Sequence, residues 1–361
     1  MGIRKQAQRE TGGTQEENNM KRKPRKAHVH LLRLYESTRR IPDNDAVIVF
    51  DTSINSHNTG DEIIMSYCDD ILKECYGSRK RIHVPTHTLP AADELDSIRK
   101  AKHKIVCGTN ILSPIFNKFT LWKMPEDLRS YSDVITLGVG WSWHDIPLSG
   151  KSRDVYRCIL SKHGLHSVRD SFTERMMREM GFENVLNTGC PTLWGLTPEH
   201  CRGIPSGKAS KVVTALTGWT PDEEADRFML ESLEREYEKV YIRMQGNTDH
   251  ECFSKIYRGN GIEILPPDLN EFTTLLRNGD VDYVGNRLHA GIHAMNCKAR
   301  ALIIFIYPRA AEMKKDFDLP VIARRELVKK LSDAIRCSRE TVLNIPWENI
   351  DRWKAQFHGM H

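Results

Sequence analysis

The chain has no long apolar run. The longest, Ala301 to Tyr307, is seven residues, where a bilayer-spanning helix needs about 20. It has no C-x-x-C pair either. Its nine cysteines stand singly at irregular intervals, which speaks for reduced thiols and against a zinc site or a disulfide framework. "MGIRKQAQRE" contains no apolar stretch of the secretory-leader type. There is no Walker A motif, no G-x-S-x-G elbow and no G-x-G-x-x-G fingerprint. "GVGWSW" (138–143) comes nearest to a glycine-rich loop without matching one. These absences point to a cytoplasmic protein and remove the simplest nucleotide-binding and serine-hydrolase readings.

Excess charge is also missing from most of the chain. The formal net charge is +5, and residues 1–27 alone hold eight Lys/Arg against three Glu. That leaves 45 basic and 45 acidic residues in the rest. A near-neutral body argues against a nucleic-acid-binding domain. The basic stretch reads as a solvated, disordered arm, with contact to an anionic membrane surface as the other reading. At 361 residues, 39% hydrophobic and 28% charged, the chain has ample material for a sizeable core and for two domains.

What is present is β-α-β punctuation. A helical spacing over 28–40 precedes the buried-type strand "DAVIVFDTS" (45–53). The segment 61–77 spaces Ile63, Ile64, Tyr67, Cys68, Ile71 and Leu72 as a helix, and Gly77 ends it. Strands at 104–108 and 133–140, a helix near 152–162 and the strand "GLHSV" follow. "SFTERMMREMG" (171–181) has Ser171 and Glu174 in capping-box spacing. Residues 197–210 have linker composition. Alternation then restarts with "KVVTALTGW", a helix capped by Thr220 with Pro221 in its first turn, and the strands "VYIRMQG", "IEILPP", "VDYVG" and "ALIIFIY". The pattern predicts an α/β chain of two Rossmann-like domains, 28–196 and 211–325. Residues 326–361 are read as helices returning onto the body with two tryptophans. Such folds bind ligands at the carboxyl ends of their strands.

Three polar clusters stand where a strand hands over to a helix, and helix N-termini favour anions. "NTGD" offers Asn58, Gly60 and Asp61. Asp61 either complements the dipole beside a capping Asn58 or Thr59, or serves a sugar hydroxyl as a base. "SVRD" offers Arg169 with Asp170 as a cap. The arginine either grips a carboxylate or phosphate, or forms a surface pair with Asp170. "GNRLHAGIH" offers Asn286 as a cap, with Arg287, Leu288 and His289 entering the first turn. His289 and His293 are four apart, but without the glutamate of H-E-x-x-H no metal is expected, and His293 reads as a packed helix residue.

In order and spacing these stretches resemble the polysaccharide pyruvyl transferase family. The resemblance rests on "NTGDE", on "SVRDSFTERMMREMGFENVLNTGCPTLW" and on "VDYVGNRLHAGIHAMNCKARALIIF", and it spans roughly residues 45–325. The chain departs from relatives in "CGTN" (107–110) and in Cys190, where many carry an aspartate. The resemblance implies a fold similar to the GT-B glycosyltransferases and phosphoenolpyruvate as donor. It implies a glycan or lipid-linked sugar as acceptor, and a pyruvate ketal as product with phosphate released. It also implies that Arg169, Arg287 and His289 bind the donor, with no metal or redox cofactor. The residues by themselves leave two alternatives open: a GT-B glycosyltransferase using a nucleotide sugar, and a non-catalytic glycan- or anion-binding relative.

Overall fold

Two runs of buried aliphatic residues seed two parallel sheets. In the first half the computed structural model has β1 (Asn44–Asp51), α1 (Thr59–Tyr76), β2 (Arg81–Pro85), α2 (Ala92–Lys100), β3 (Ala101–Cys107) and β4 (Ile135–Leu137). These are followed by α3 (Gly150–Ile159), β5 (His166–Val168), α4 (Ser171–Glu179) and β6 (Val185–Asn187). Val47, Ile48, Val49 and Phe50 of β1 are fully buried in succession, as in a strand covered by helices on both faces. The strand order is β2-β1-β3-β4. The β5–β6 pair extends this layer through a parallel bridge from Val139 to Val168. The structure describes residues 44–306 and 308–358. The expected basic arm and the helix over 28–40 lie outside the described residues.

The second half has α5 (Pro198–Arg202), β7 (Lys211–Thr214), α6 (Glu223–Glu236), β8 (Lys239–Arg243), α7 (Asp249–Ile256), β9 (Ile262–Leu265) and α8 (Leu269–Asn278). It continues with β10 (Val281–Gly285), α9 (Leu288–Asn296), β11 (Ala301–Phe305), α10 (Pro308–Phe317), β12 (Val321–Ala323), α11 (Leu327–Arg336) and α12 (Trp347–Ala355). Its sheet order is β12-β11-β10-β7-β8-β9, every pairing parallel. The α/β class with two Rossmann-like sheets is therefore the observed architecture. The C-terminal helix α12 returns to the first half. Trp353 is buried with its ring edge-on to Trp194 at 5.6 Å, and Lys354 pairs with Glu74 at 2.7 Å.

Local chemistry departs from expectation at several ends. The strand expected over 133–140 is cut to three residues, because Asp133 (φ 56°) and Gly138 (φ 61°) flank it in left-handed conformations that a strand cannot hold. Helix α4 is capped by Asp170, whose side chain accepts from the Thr173 N–H. The Ser171–Glu174 box does not form, since Ser171 gives its N–H and hydroxyl to Asp316. Helix α6 is capped by Asp222, and the Thr220 carbonyl instead accepts from Arg324. The linker stretch contains the short helix α5, capped by Thr197.

Candidate active site

The turn before α1 is tied to the second half. Asn58 caps α1, accepting from the Gly60 N–H at 3.1 Å. Its Oδ1 also accepts from Gln245 Nε2 at 3.2 Å, and the Thr59 N–H donates to the Gln245 carbonyl at 3.0 Å. Gly60 leaves room for this. A Cβ there would lie 2.5 Å from Gln245 Nε2, closer than non-bonded atoms allow. Asp61 is buried, and its carboxylate accepts from Ser56 Oγ at 2.6 Å. The carboxylate is thus bound into the turn rather than displayed at a cleft mouth.

Gln245 belongs to the loop after β8, and this loop reaches the R-L-H cluster. The carboxylate of Asp249 accepts from the Gln245 and Gly246 N–H groups at 3.0 and 2.8 Å and from Gly218 N–H at 3.0 Å. It also receives Arg287 Nη2, at 2.5 and 2.6 Å to its two oxygens. Arg287 Nε donates to the Leu216 carbonyl at 2.8 Å. Arg287 therefore occupies the N-cap position of α9 and is held in a buried ion pair. It does not enter the first turn behind a capping Asn286, as the sequence suggests. Asn286 donates instead to Asp226. Leu288 opens the helix with its side chain in the core. His289 follows as the second helical residue and is buried.

Arg169 at the end of β5 is fully buried, so the surface-pair reading does not hold. Asp170 spends Oδ1 on capping and lies at 3.4 Å from Arg169 Nε through Oδ2. The firm partner is Asn110 Oδ1, 2.5 Å from Nη2, supplied by the "CGTN" turn. Buried Nη1 has no hydrogen-bond partner among the described residues. The guanidinium lies against Gly140, where a Cβ would fall 2.1 Å from Nη2 and 2.4 Å from Cζ. Gly140→Ala is expected to displace Arg169 and cost about 1–3 kcal/mol, as overpacking of a filled core does; a denaturant midpoint measurement checks it.

The sequence reading missed Arg243. It ends β8, is fully buried, and lies over the Phe272 ring at 4.9 Å. Among the described residues its hydrogen bonds are 3.3 Å contacts to Gln245 Oε1 and the Pro267 carbonyl, and its buried Nε has no partner there. Burial lowers its pKa, Arg287 adds repulsion, and Glu62 of α1 works the other way. The available signal was an arginine closing the strand run "VYIR" three residues before Gly246. Asn110, Gln245 and Asp249 carried no such signal, because each acts on a residue remote in sequence.

The clusters converge on α1. Its first turn meets Gln245, and Gly108 of the Asn110 turn packs on Ile64 in the next. The helix itself packs against α9 and against the turn 191–193 that follows β6. His293 locks this junction. Its Nδ1 is 2.9 Å from the Tyr67 hydroxyl and its Nε2 is 2.9 Å from Thr273 Oγ1, so it serves as a packed helix residue. Burial, with Arg243 and Arg277 adding repulsion, lowers its pKa to about 4; burial does the same to His166. Both resist protonation in the folded state but gain a proton near pH 6.5 once unfolded. Stability from these two groups is therefore full above pH 6.5 and is lost as pH falls from 6.5 to 4. Urea midpoints along that range should drop, and His293→Gln should flatten the slope.

The arrangement is two parallel sheets with buried guanidiniums, Arg169 and Arg243, at the carboxyl ends of their strands, the end at which such folds bind ligands. The family described as polysaccharide pyruvyl transferase matches residues 58–304, and the chain belongs to that family, whose members join a donor to a glycan acceptor. No curated protein matches the chain. Among solved structures, the Methanocaldococcus jannaschii UDP-GlcNAc 2-epimerase is similar at 11% identity and a TM-score of 0.45, covering 86% of this chain and 98% of that one. The E. coli heptosyltransferase WaaC with ADP is similar at 12% identity and a TM-score of 0.35, covering 73% and 89%. LpCGTa in complex with UDP is similar at 10% identity and a TM-score of 0.36, covering 92% and 90%. Among the described residues no helix is long and apolar enough to cross a membrane.

Proposed function

We propose that the protein transfers pyruvate from phosphoenolpyruvate onto two hydroxyls of a glycan or lipid-linked sugar as a ketal, with release of phosphate. The observation that carries this reading is the pair of fully buried guanidiniums, Arg169 and Arg243, each with one nitrogen lacking a partner. A buried donor left unmade costs about 1–3 kcal/mol, more when charged. Such groups persist where a ligand completes them. Phosphoenolpyruvate offers a carboxylate and a phosphate, and the two cations with the N-terminus of α9 supply complementary partners. Arg287, already balanced by Asp249, shapes the crevice wall and adds field.

In this reading His289 gives a proton to the enol methylene. One acceptor hydroxyl then adds to the neighbouring carbon, the carbon–oxygen bond to phosphate breaks, and the second hydroxyl closes the ring on that carbon. Of the two hydroxyl protons released, one restores the proton placed on the methylene and the other leaves with phosphate. The sequence is redox-neutral and takes no cofactor. Asp61, bound to Ser56, holds the turn and is the weaker candidate for activating a hydroxyl.

The direct test is thermal shift with millimolar phosphoenolpyruvate against a panel of nucleotide diphosphate sugars, followed by phosphate release with acceptor present. Stabilisation by phosphoenolpyruvate alone, lost in Arg243→Met, is the expected result. Stabilisation by a nucleotide sugar alone would transfer the assignment to glycosyl transfer.

A further inference from the structure

The loop 138–145, which contains "GVGWSW", has features that donor binding does not use. It leaves β4 at its carboxyl end. Gly140 backs the Arg169 guanidinium, and the backbone N–H of buried Trp141 donates to Thr173 Oγ1 at 3.0 Å. Two residues on, the chain turns Trp143 outward. It is 49% exposed and has φ of 50°, a left-handed conformation that a bulky side chain rarely adopts. A half-exposed indole recovers only part of what full burial would offset, and strain of this kind concentrates at ligand sites.

The surroundings extend the surface inward. Phe119, 41% exposed, meets the Trp143 ring edge-on at 5.3 Å. The next residue, His144, lies flat on Phe172 at 3.9 Å and 4°. Phe172 is in the first turn of α4, two residues after Asp170, and Arg175 also covers its ring at 4.8 Å. Trp143 and Phe119 remain partly exposed beside this stack. Trp143 is three residues from Gly140, so at most roughly 11 Å of chain separates the shelf from the Arg169 contact.

We propose that Trp143 and Phe119 form the acceptor subsite, on which a pyranose ring lies with its C–H face against the indole. The occupant is a neutral sugar for two reasons. The exposed rings are flat and apolar, and among the described residues no cation lies over either of them; a pyranose combines an apolar face with a hydroxyl rim. The proposal rests on the glycan-acceptor reading above and places that acceptor on the first half.

The test is saturation-transfer NMR and titration with methyl glycosides of glucose, galactose, mannose and their N-acetyl forms. It is run on the full chain and on Trp143→Ala, Trp143→Tyr and Trp143→Gly. At least one glycoside is expected to bind through its ring protons. Affinity should fall at least tenfold in the alanine and glycine variants and be kept within about threefold in the tyrosine variant. The stabilisation by phosphoenolpyruvate should be unchanged throughout. Trp143→Gly guards against misfolding, because glycine tolerates the left-handed backbone and should melt no lower than the parent. Equal glycoside affinity in parent and glycine variant, or no glycoside binding at all, overturns the shelf. Glycoside binding that needs Trp143 without any response to phosphoenolpyruvate keeps the shelf and removes the pyruvyl donor instead.

Discussion

Asp249→Ala is expected to lower the melting temperature by roughly 6–20 °C and to abolish transfer. The carboxylate is fully buried and holds Arg287, the Gln245–Gly246 turn and the Gly218 loop together. Removing one partner of a buried pair leaves the other charge uncompensated, at about 3–5 kcal/mol, and each kcal/mol shifts melting by about 2–4 °C in a large domain. Asp249→Asn keeps the shape but not the charge. It should fall between parent and alanine in stability and still lose activity, because Arg287 is then free to turn. Scanning calorimetry and phosphate release read the two effects separately. A variant that melts with the parent and turns over normally would show that the pair holds neither the crevice nor Arg287.

His289→Ala carries the second large effect, confined to chemistry. A positioned acid–base group supplies roughly 10²–10⁴-fold in rate, and kcat should drop by that factor. His289 is the second residue of α9 and buried. Stabilisation by phosphoenolpyruvate should persist in the variant if, as proposed, Arg169 and Arg243 hold the donor. Near-parental kcat would take His289 out of proton transfer. Loss of donor stabilisation with kcat intact at saturation would make it a phosphate ligand instead.

Much of the site's framework was legible because it is local. Asn58 and Asp170 cap helices three residues or fewer away, and a short polar side chain next to a strand end announces that directly. The placement of α9 after β10 followed from an apolar strand ending at Gly285. Cap positions failed where a competing partner came from elsewhere. Ser171 was drawn off by Asp316, 145 residues on, and Asn286 by Asp226, 60 residues back. Propensity ranks the candidates for a cap, and a remote hydrogen bond decides between them.

The sequence alone determined that this chain alternates strand and helix, that its polar clusters open helices, and that the family follows from their order. Those properties depend on residues within a turn or two of one another. Tertiary structure alone decided which charges are spent and which are available. Arg287 is neutralised by Asp249, 38 residues away. Arg169 is held by Asn110, 59 residues away, and Arg243 is buried without a carboxylate partner. A guanidinium reads the same in any sequence, and its chemistry is set by what folding brings within 3 Å of it.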